Sequence, residues 1–193
     1  MTEPIRLRTA RLQLRGWVPA DLVGFTAMNA DPAVMRYFPA PLSAAESAAR
    51  FETLRTDLQQ RGWGWWVLAP AGAADFLGFV GLAPVAFAAP FSGGAGAEIV
   101  EIGWRLVRPA WGHGYATEAA RACVAYAFDE LGLPGLVSFT SELNHPSRAV
   151  MQRLGMTHDP REDFDHPLLP AGDRLSRHVL YRLSRATEPA PPG

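Results

Sequence analysis

The stretch that most restricts what this chain can fold into is residues 97–131, which read as a strand, a glycine turn and a helix in immediate succession. On the strand, Val100, Ile102, Trp104 and Leu106 alternate with Ile99, Glu101, Gly103 and Arg105, so one face is apolar and the other is not. On the helix, predicted over 115–131, Ala116, Ala120, Cys123, Val124, Ala127 and Leu131 share one stripe. Between them lies Trp111-Gly112-His113-Gly114-Tyr115-Ala116. Gly112 and Gly114 carry no side chain and Ala116 is small, so backbone N–H groups there can approach a ligand closely. The helix that follows adds its dipole and its free donors. The backbone amides of Gly112 through Thr117 are therefore the expected nest for an anion such as a pyrophosphate. Two nucleotide signatures are excluded. No GxxxxGK[ST] run exists, and in the G-x-G-x-x-G pattern the third glycine position is Thr117.

Composition narrows the chemistry further. At 193 residues, 48% hydrophobic, one domain over 1–185 with a short flexible tail at 186–193 is expected. A formal net charge of -1 supplies no global field for nucleic acid or a membrane surface, and neither is an expected partner. All 18 basic residues are Arg, which rules out a Lys nucleophile, a Schiff base and a phosphate-loop Lys. The one cysteine, Cys123, excludes an internal disulfide framework and a cysteine-rich metal site; no metal is expected. The N-terminus MTEPIRLRTA has no apolar run, and no stretch approaches the ~20 residues of a membrane span, so the simplest location is the cytoplasm.

The remaining segments fill in the order. Leu7, Leu12, Leu14 and Trp17 predict extended structure over 5–17, and a short helix follows over 19–29. Ser43 and Glu46 have capping-box spacing ahead of a helix over 43–60, whose apolar face carries Phe51, Leu54 and Leu58. Strands are predicted at 63–69, 76–87 and 97–107, with a mobile small-residue loop, AAPFSGGAGA, between the last two. A short strand at 135–140, a helix at 144–154 begun by Asn144, and a strand at 174–184 complete the chain. The order predicts a mixed α/β domain with one layer of sheet and helices on it.

Four segments, in order, resemble the GNAT superfamily of acetyl-CoA-dependent N-acetyltransferases, and in particular its ribosomal-protein N-terminal acetyltransferase branch. They are TARLQLR at 9–15, EIGWRL at 101–106, WGHGYATEA at 111–119, and Asn144 to Ser147 followed by Val150 to Met156. The final RHVLYRL is similar to that branch's last strand. The loop matches [QR]-x-x-G-x-[GA] except at Trp111, which stands where the motif has Gln or Arg. The resemblance implies a single α/β (α+β mixed) domain with a mostly antiparallel sheet, splayed fourth and fifth strands, and helices on both faces. It also implies acetyl-CoA as co-substrate and an amine acceptor, either a protein N-terminal α-amine or a small molecule. A homodimer is left open.

The resemblance assigns roles that each have a plainer reading. Trp111, Gly112, His113, Gly114, Tyr115, Ala116 and Thr117 would hold the coenzyme, with a backbone N–H near Leu106 or Val107 polarising the thioester carbonyl. Asn144 would bond the pantetheine arm, although it is also a good N-cap. Ser147 would protonate the departing thiolate, although serine is common filler at a helix start. Arg148 or Arg153 could meet the 3′-phosphate through the planar guanidinium fork, or simply face water. For the general base the candidates are Glu101, whose plain reading is an ion pair with Arg105, and the acidic segment Glu162 to His166. Trp63, Trp65 and Trp66 are core residues or acceptor-pocket walls. The rival function is a GNAT-fold protein that binds acyl-CoA without turnover, as a sensor or a partner-binding subunit.

Overall fold

A computed structural model of the chain describes residues 6–91 and 99–185. Most of the small-residue loop and the whole tail 186–193 lie outside the described residues. The first extended segment is broken: β1 (Leu7–Arg8) and β2 (Leu12–Arg15) form an antiparallel pair. Thr9 closes the turn, with its hydroxyl accepting from the Leu12 N–H at 3.0 Å. Strands β3 (Trp65–Pro70), β4 (Gly78–Pro84) and β5 (Val100–Leu106) continue the antiparallel ladder. β6 (Gly135–Ser141) and the C-terminal strand Arg177–Ser184 pair antiparallel on the far side. Two strands of two residues each, Thr157–His158 and Phe164–Asp165, also pair with that last strand. In chain order they are β7 and β8, which makes the C-terminal strand β9.

Helices cover both faces. α1 (Asp21–Ala30) and α2 (Ala44–Arg61) lie on one, and α3 (Tyr115–Asp129) on the other. Adjacent tryptophans of β3 show the division. Trp66 points to α3 and meets Tyr126 edge-on at 5.7 Å, while Trp65 points the other way and meets Phe79 at 5.6 Å. Helix α2 begins with the expected capping box: Ser43 Oγ accepts from the Glu46 N–H at 3.2 Å and Glu46 Oε2 from the Ser43 N–H at 2.8 Å. A fourth helix, α4 (His145–Arg153), packs beside α3 and β6. No helix among the described residues is long and apolar enough to cross a membrane.

The feature that positions the site is the joint between β5 and β6. They run parallel and pair only at Glu101 and Val137. These are the fourth and fifth extended segments of the sequence, and they splay as expected. Among the described residues, no strand bonds the β6-facing edge of β5 beyond that pair.

Candidate functional site

The glycine turn is built as an open anion cradle. Gly112 and Gly114 have φ of +78° and +77°, a sign of φ that side-chain-bearing residues rarely adopt. Gly114 is the N-cap of α3 and supplies no capping side chain. The first helical bond is from the Glu118 N–H to the Gly114 carbonyl at 3.0 Å. The amides of Gly112 through Thr117 therefore have no acceptor among the described residues. Glu118, an acid in the first turn, is neutralised by Arg11, whose guanidinium lies 2.6 Å away, and it also accepts a hydrogen bond from the Thr9 hydroxyl at 2.5 Å. Those bonds tie the β1–β2 turn to α3 and leave the helix mouth attractive to an anion. Trp111 anchors the loop, its indole N–H donating to the Leu106 carbonyl at 2.8 Å. His113 is exposed and stacks on Tyr115, with ring centroids 5.3 Å apart.

From this cradle a cavity of about 1490 Å³ runs along the splayed edge of β5 and through to the α1–α2 face. A site for one small ligand is roughly 300–1,000 Å³, so this one has room for two. The ladder register fixes which amides face it. Val107 N–H donates to the Leu77 carbonyl at 3.1 Å, and strict alternation then sends the N–H groups of Trp104 and Leu106 to the opposite, unpaired edge. Of the two predicted carbonyl polarisers, Leu106 has a free amide and Val107 does not. Asn144 caps α4: its Oδ1 accepts from the Ser147 N–H at 3.3 Å, and its Nδ2 donates to Thr140 Oγ1 at 2.9 Å. Ser147 lines the cavity beside it, and its hydroxyl has no partner among the described residues. Arg153 lines the cavity too, whereas Arg148 turns back to donate to the Glu142 carbonyl at 3.0 Å.

On the α1–α2 side of the sheet the cavity holds Glu101. Burial pushes its carboxyl up to about 7, and the charge of Arg50 on α2 pulls it partly back. The ion pair with Arg105 does not form. The two residues are two same-face steps apart, about 13 Å along a strand. Arg105 instead lies over the Phe38 ring, 3.9 Å from its centroid, and donates to Asn29 Oδ1 at 2.8 Å. The rival acidic segment is occupied elsewhere. Glu162 is paired with Arg182 at 2.7 Å, Asp163 with His158 at 2.7 Å, and Asp165 with Arg177 at 3.7 Å. Only His166 of that segment lines the cavity, next to His178 with ring centroids 4.8 Å apart. Burial lowers both imidazoles, so both are neutral near pH 7. His178 Nδ1 donates to the Ser176 carbonyl at 3.0 Å, which leaves Nε2 with its lone pair. No local sequence signal marks His178; it reaches the cavity only through the β6–β9 register that sets it opposite Ser141. Of the three tryptophans, Trp65 alone lines the cavity, with its ring over Gly103, where a Cβ would come within 2.8 Å.

Residues 11–157 match the family model described as an acetyltransferase (GNAT) domain. FsC-acetyl coenzyme A-N(2)-transacetylase of Aspergillus fumigatus is 40% identical over 95 residues, which is 49% of this chain. The match spans about a third of that fungal protein's length, 34%. An acetyltransferase structure from Agrobacterium tumefaciens is 28% identical with a TM-score of 0.72, over 96% of this chain and 97% of that one. RimL, a ribosomal-protein α-N-acetyltransferase solved with coenzyme A, shares the fold at 15% identity and a TM-score of 0.71, over 93% and 98% of the two chains. Since the match takes in the β5 edge, the glycine cradle and α4 together, the chain belongs to the GNAT acetyltransferase family.

Proposed function

We propose that the protein transfers an acetyl group from acetyl-CoA to a primary amine by direct attack, the amine being a small molecule or a peptide N-terminus. The observation that carries this is the continuity of one cavity. It joins the free amides of the α3 mouth, the unpaired edge of β5 and a carboxyl that titrates near neutrality. The pyrophosphate sits on the amides of Gly112 through Thr117, and the pantetheine arm takes the place of a neighbouring strand along β5, with Asn144 beside it. Arg153, which lines the cavity, takes the 3′-phosphate. The ammonium of the acceptor loses a proton to Glu101 through water, since Glu101 stands several residues along β5 from the thioester. Its nitrogen lone pair then attacks the thioester carbonyl, polarised by the Trp104 or Leu106 N–H. As the carbon–sulfur bond breaks, Ser147 gives the thiolate a proton and regains one, through water, from the nitrogen of the collapsing adduct. Cys123 takes no part: it is fully buried in α3, and burial raises its thiol far above the usual range. The name of the fungal relative, an N(2)-transacetylase, supports an amine acceptor.

The test is free-thiol release from acetyl-CoA against a panel of small amines and peptides with free N-termini. Amine-dependent release establishes transfer. Tight coenzyme binding with no release from any amine would leave an acyl-CoA-binding protein without turnover.

A further inference from the structure

The acceptor end of the cavity has the wrong charge for a simple amine. Arg105 is half-buried, its Nε is buried with no hydrogen-bond partner, and no carboxylate pairs with it among the described residues. Other sheltered arginines are treated differently. Arg15 holds Asp21 at 2.8 Å and Arg182 holds Glu162 at 2.7 Å. Arg50, on the facing helix, also has no carboxylate partner among the described residues, and it lies close enough to act on both Arg105 and Glu101. Burial and Arg50 together push Arg105 down to about 10, the mark of a cation short of counter-charge. Arg36 lines the same end, lying over Tyr37 at 4.8 Å. Against these stands, among the described residues at this end, the one carboxyl of Glu101, which is only partly ionised at pH 7; the other lining carboxyl, Glu118, is at the cradle and paired with Arg11. His166 and His178 are neutral. An acceptor amine arrives as a cation, and a pocket with the half-buried, uncompensated Arg105 at its heart and Arg50 at its rim repels it. The repulsion is relieved when the acceptor brings its own anion.

We infer that the acceptor is an amine bearing a carboxylate, with the carboxylate seated between Arg105 and Arg50 and the amine beside Glu101. The inference rests on the transfer function proposed above. The planar guanidinium of Arg105, already held by Asn29 and the Phe38 ring, is oriented in advance for a carboxylate. Glu101 and Arg105 are set about 13 Å apart along the strand, which favours amines separated from their carboxylate by several bonds over simple α-amino acids.

The experiment compares β-alanine, 4-aminobutyrate and 6-aminohexanoate with their carboxamides as acceptors, for the wild-type protein, Arg105→Gln and Arg50→Gln. We expect kcat/KM to favour the acids about ten- to a hundredfold, the size of a lost charge-assisted hydrogen bond, and the ratio to fall towards one in either variant. A wild-type ratio near one, or a ratio retained in folded variants, overturns the inference and leaves the transfer function standing. Should Arg105→Gln unfold, the exposed Arg50→Gln carries the comparison. Loss of CoA affinity in Arg105→Gln would assign the guanidinium to the coenzyme and also overturn the inference. If no amine is acetylated, the function above fails. Calorimetric titration of the CoA-bound protein with 6-aminohexanoate and its amide then decides. Binding of the acid alone, lost in Arg50→Gln, retains the anion site; absence of binding removes it.

Discussion

At the residue scale, two side chains separate catalysis from structure. Glu101 is raised from 4.5 to about 7 mainly by burial. A base must be ionised to work, so acetyl transfer should rise with pH through about 7, and Glu101→Gln should remove that limb. The turnover lost should be ~10²–10⁴-fold, the usual contribution of a positioned base. The stability consequence has the opposite sense. A carboxyl whose folded pKa lies above its unfolded value favours folding below about 4.5, and the benefit is lost as pH rises to about 7. The neutral Gln should therefore melt higher than the wild type at pH 8 and not at pH 4, a crossover readable by calorimetry at the two pH values. Ser147 makes a complementary pair with Asn144. The cap of α4 is the Asn144 side chain, and the Ser147 hydroxyl bonds nothing described. Ser147→Ala should then cost turnover near the low end of ~10²–10⁴-fold, since a thiolate already leaves readily, with little change in melting temperature. Asn144→Ala should cost about 1 kcal/mol of stability as a lost cap. A Ser147→Ala protein with full turnover would take the hydroxyl out of the reaction.

At the element scale, the unit that matters is strand, turn and helix from Val100 to Asp129. Gly114→Val tests it as a unit. Apart from the adjoining backbone, Arg11 Nη2 at 3.7 Å is the one atom among the described residues within 4 Å of the added Cβ, so the cost is one of backbone conformation at φ +77° and not of collision. We expect a loss of roughly 1–2 kcal/mol in stability from the left-handed backbone, a folded protein, and coenzyme binding too weak to measure by calorimetry. Binding at wild-type affinity would mean that the pyrophosphate lies elsewhere. This unit was also the most legible part of the sequence, because its two hydrophobic periods and its glycines are local signals. The capping box at Ser43 and Glu46 was legible for the same reason. The break at Thr9 and the short strands Thr157–His158 and Phe164–Asp165 were not, since two residues cannot display a period. Which of the Leu106 and Val107 amides is free was not legible for a different reason: it depends on the β4–β5 register, a tertiary fact.

At the scale of the whole molecule, strand pairing among the described residues is continuous across the sheet but thins between β5 and β6, where one residue pair joins its two halves. The order of segments foretold that joint through resemblance. The charge balance of the acceptor end was hidden, because Arg50, Arg105 and His178 come from three distant segments and only folding brings them to one cavity. The coenzyme proposed here lies along this joint, touching β5 on one side and α4 beside β6 on the other. A ligand that binds only the folded state stabilises it by RT ln(1 + [L]/Kd), roughly 2.7 kcal/mol at a hundredfold excess over Kd. For a chain of this size each kcal/mol moves the melting temperature by about 2–4 °C, so saturating acetyl-CoA should raise it by about 5–11 °C. The rise should continue with the logarithm of concentration, because the linkage does not saturate with occupancy. Gly114→Val should show none of it. Differential scanning calorimetry across a millimolar range of acetyl-CoA measures both slopes. A flat wild-type profile, from protein shown to be folded, would contradict coenzyme binding and with it the transfer reaction.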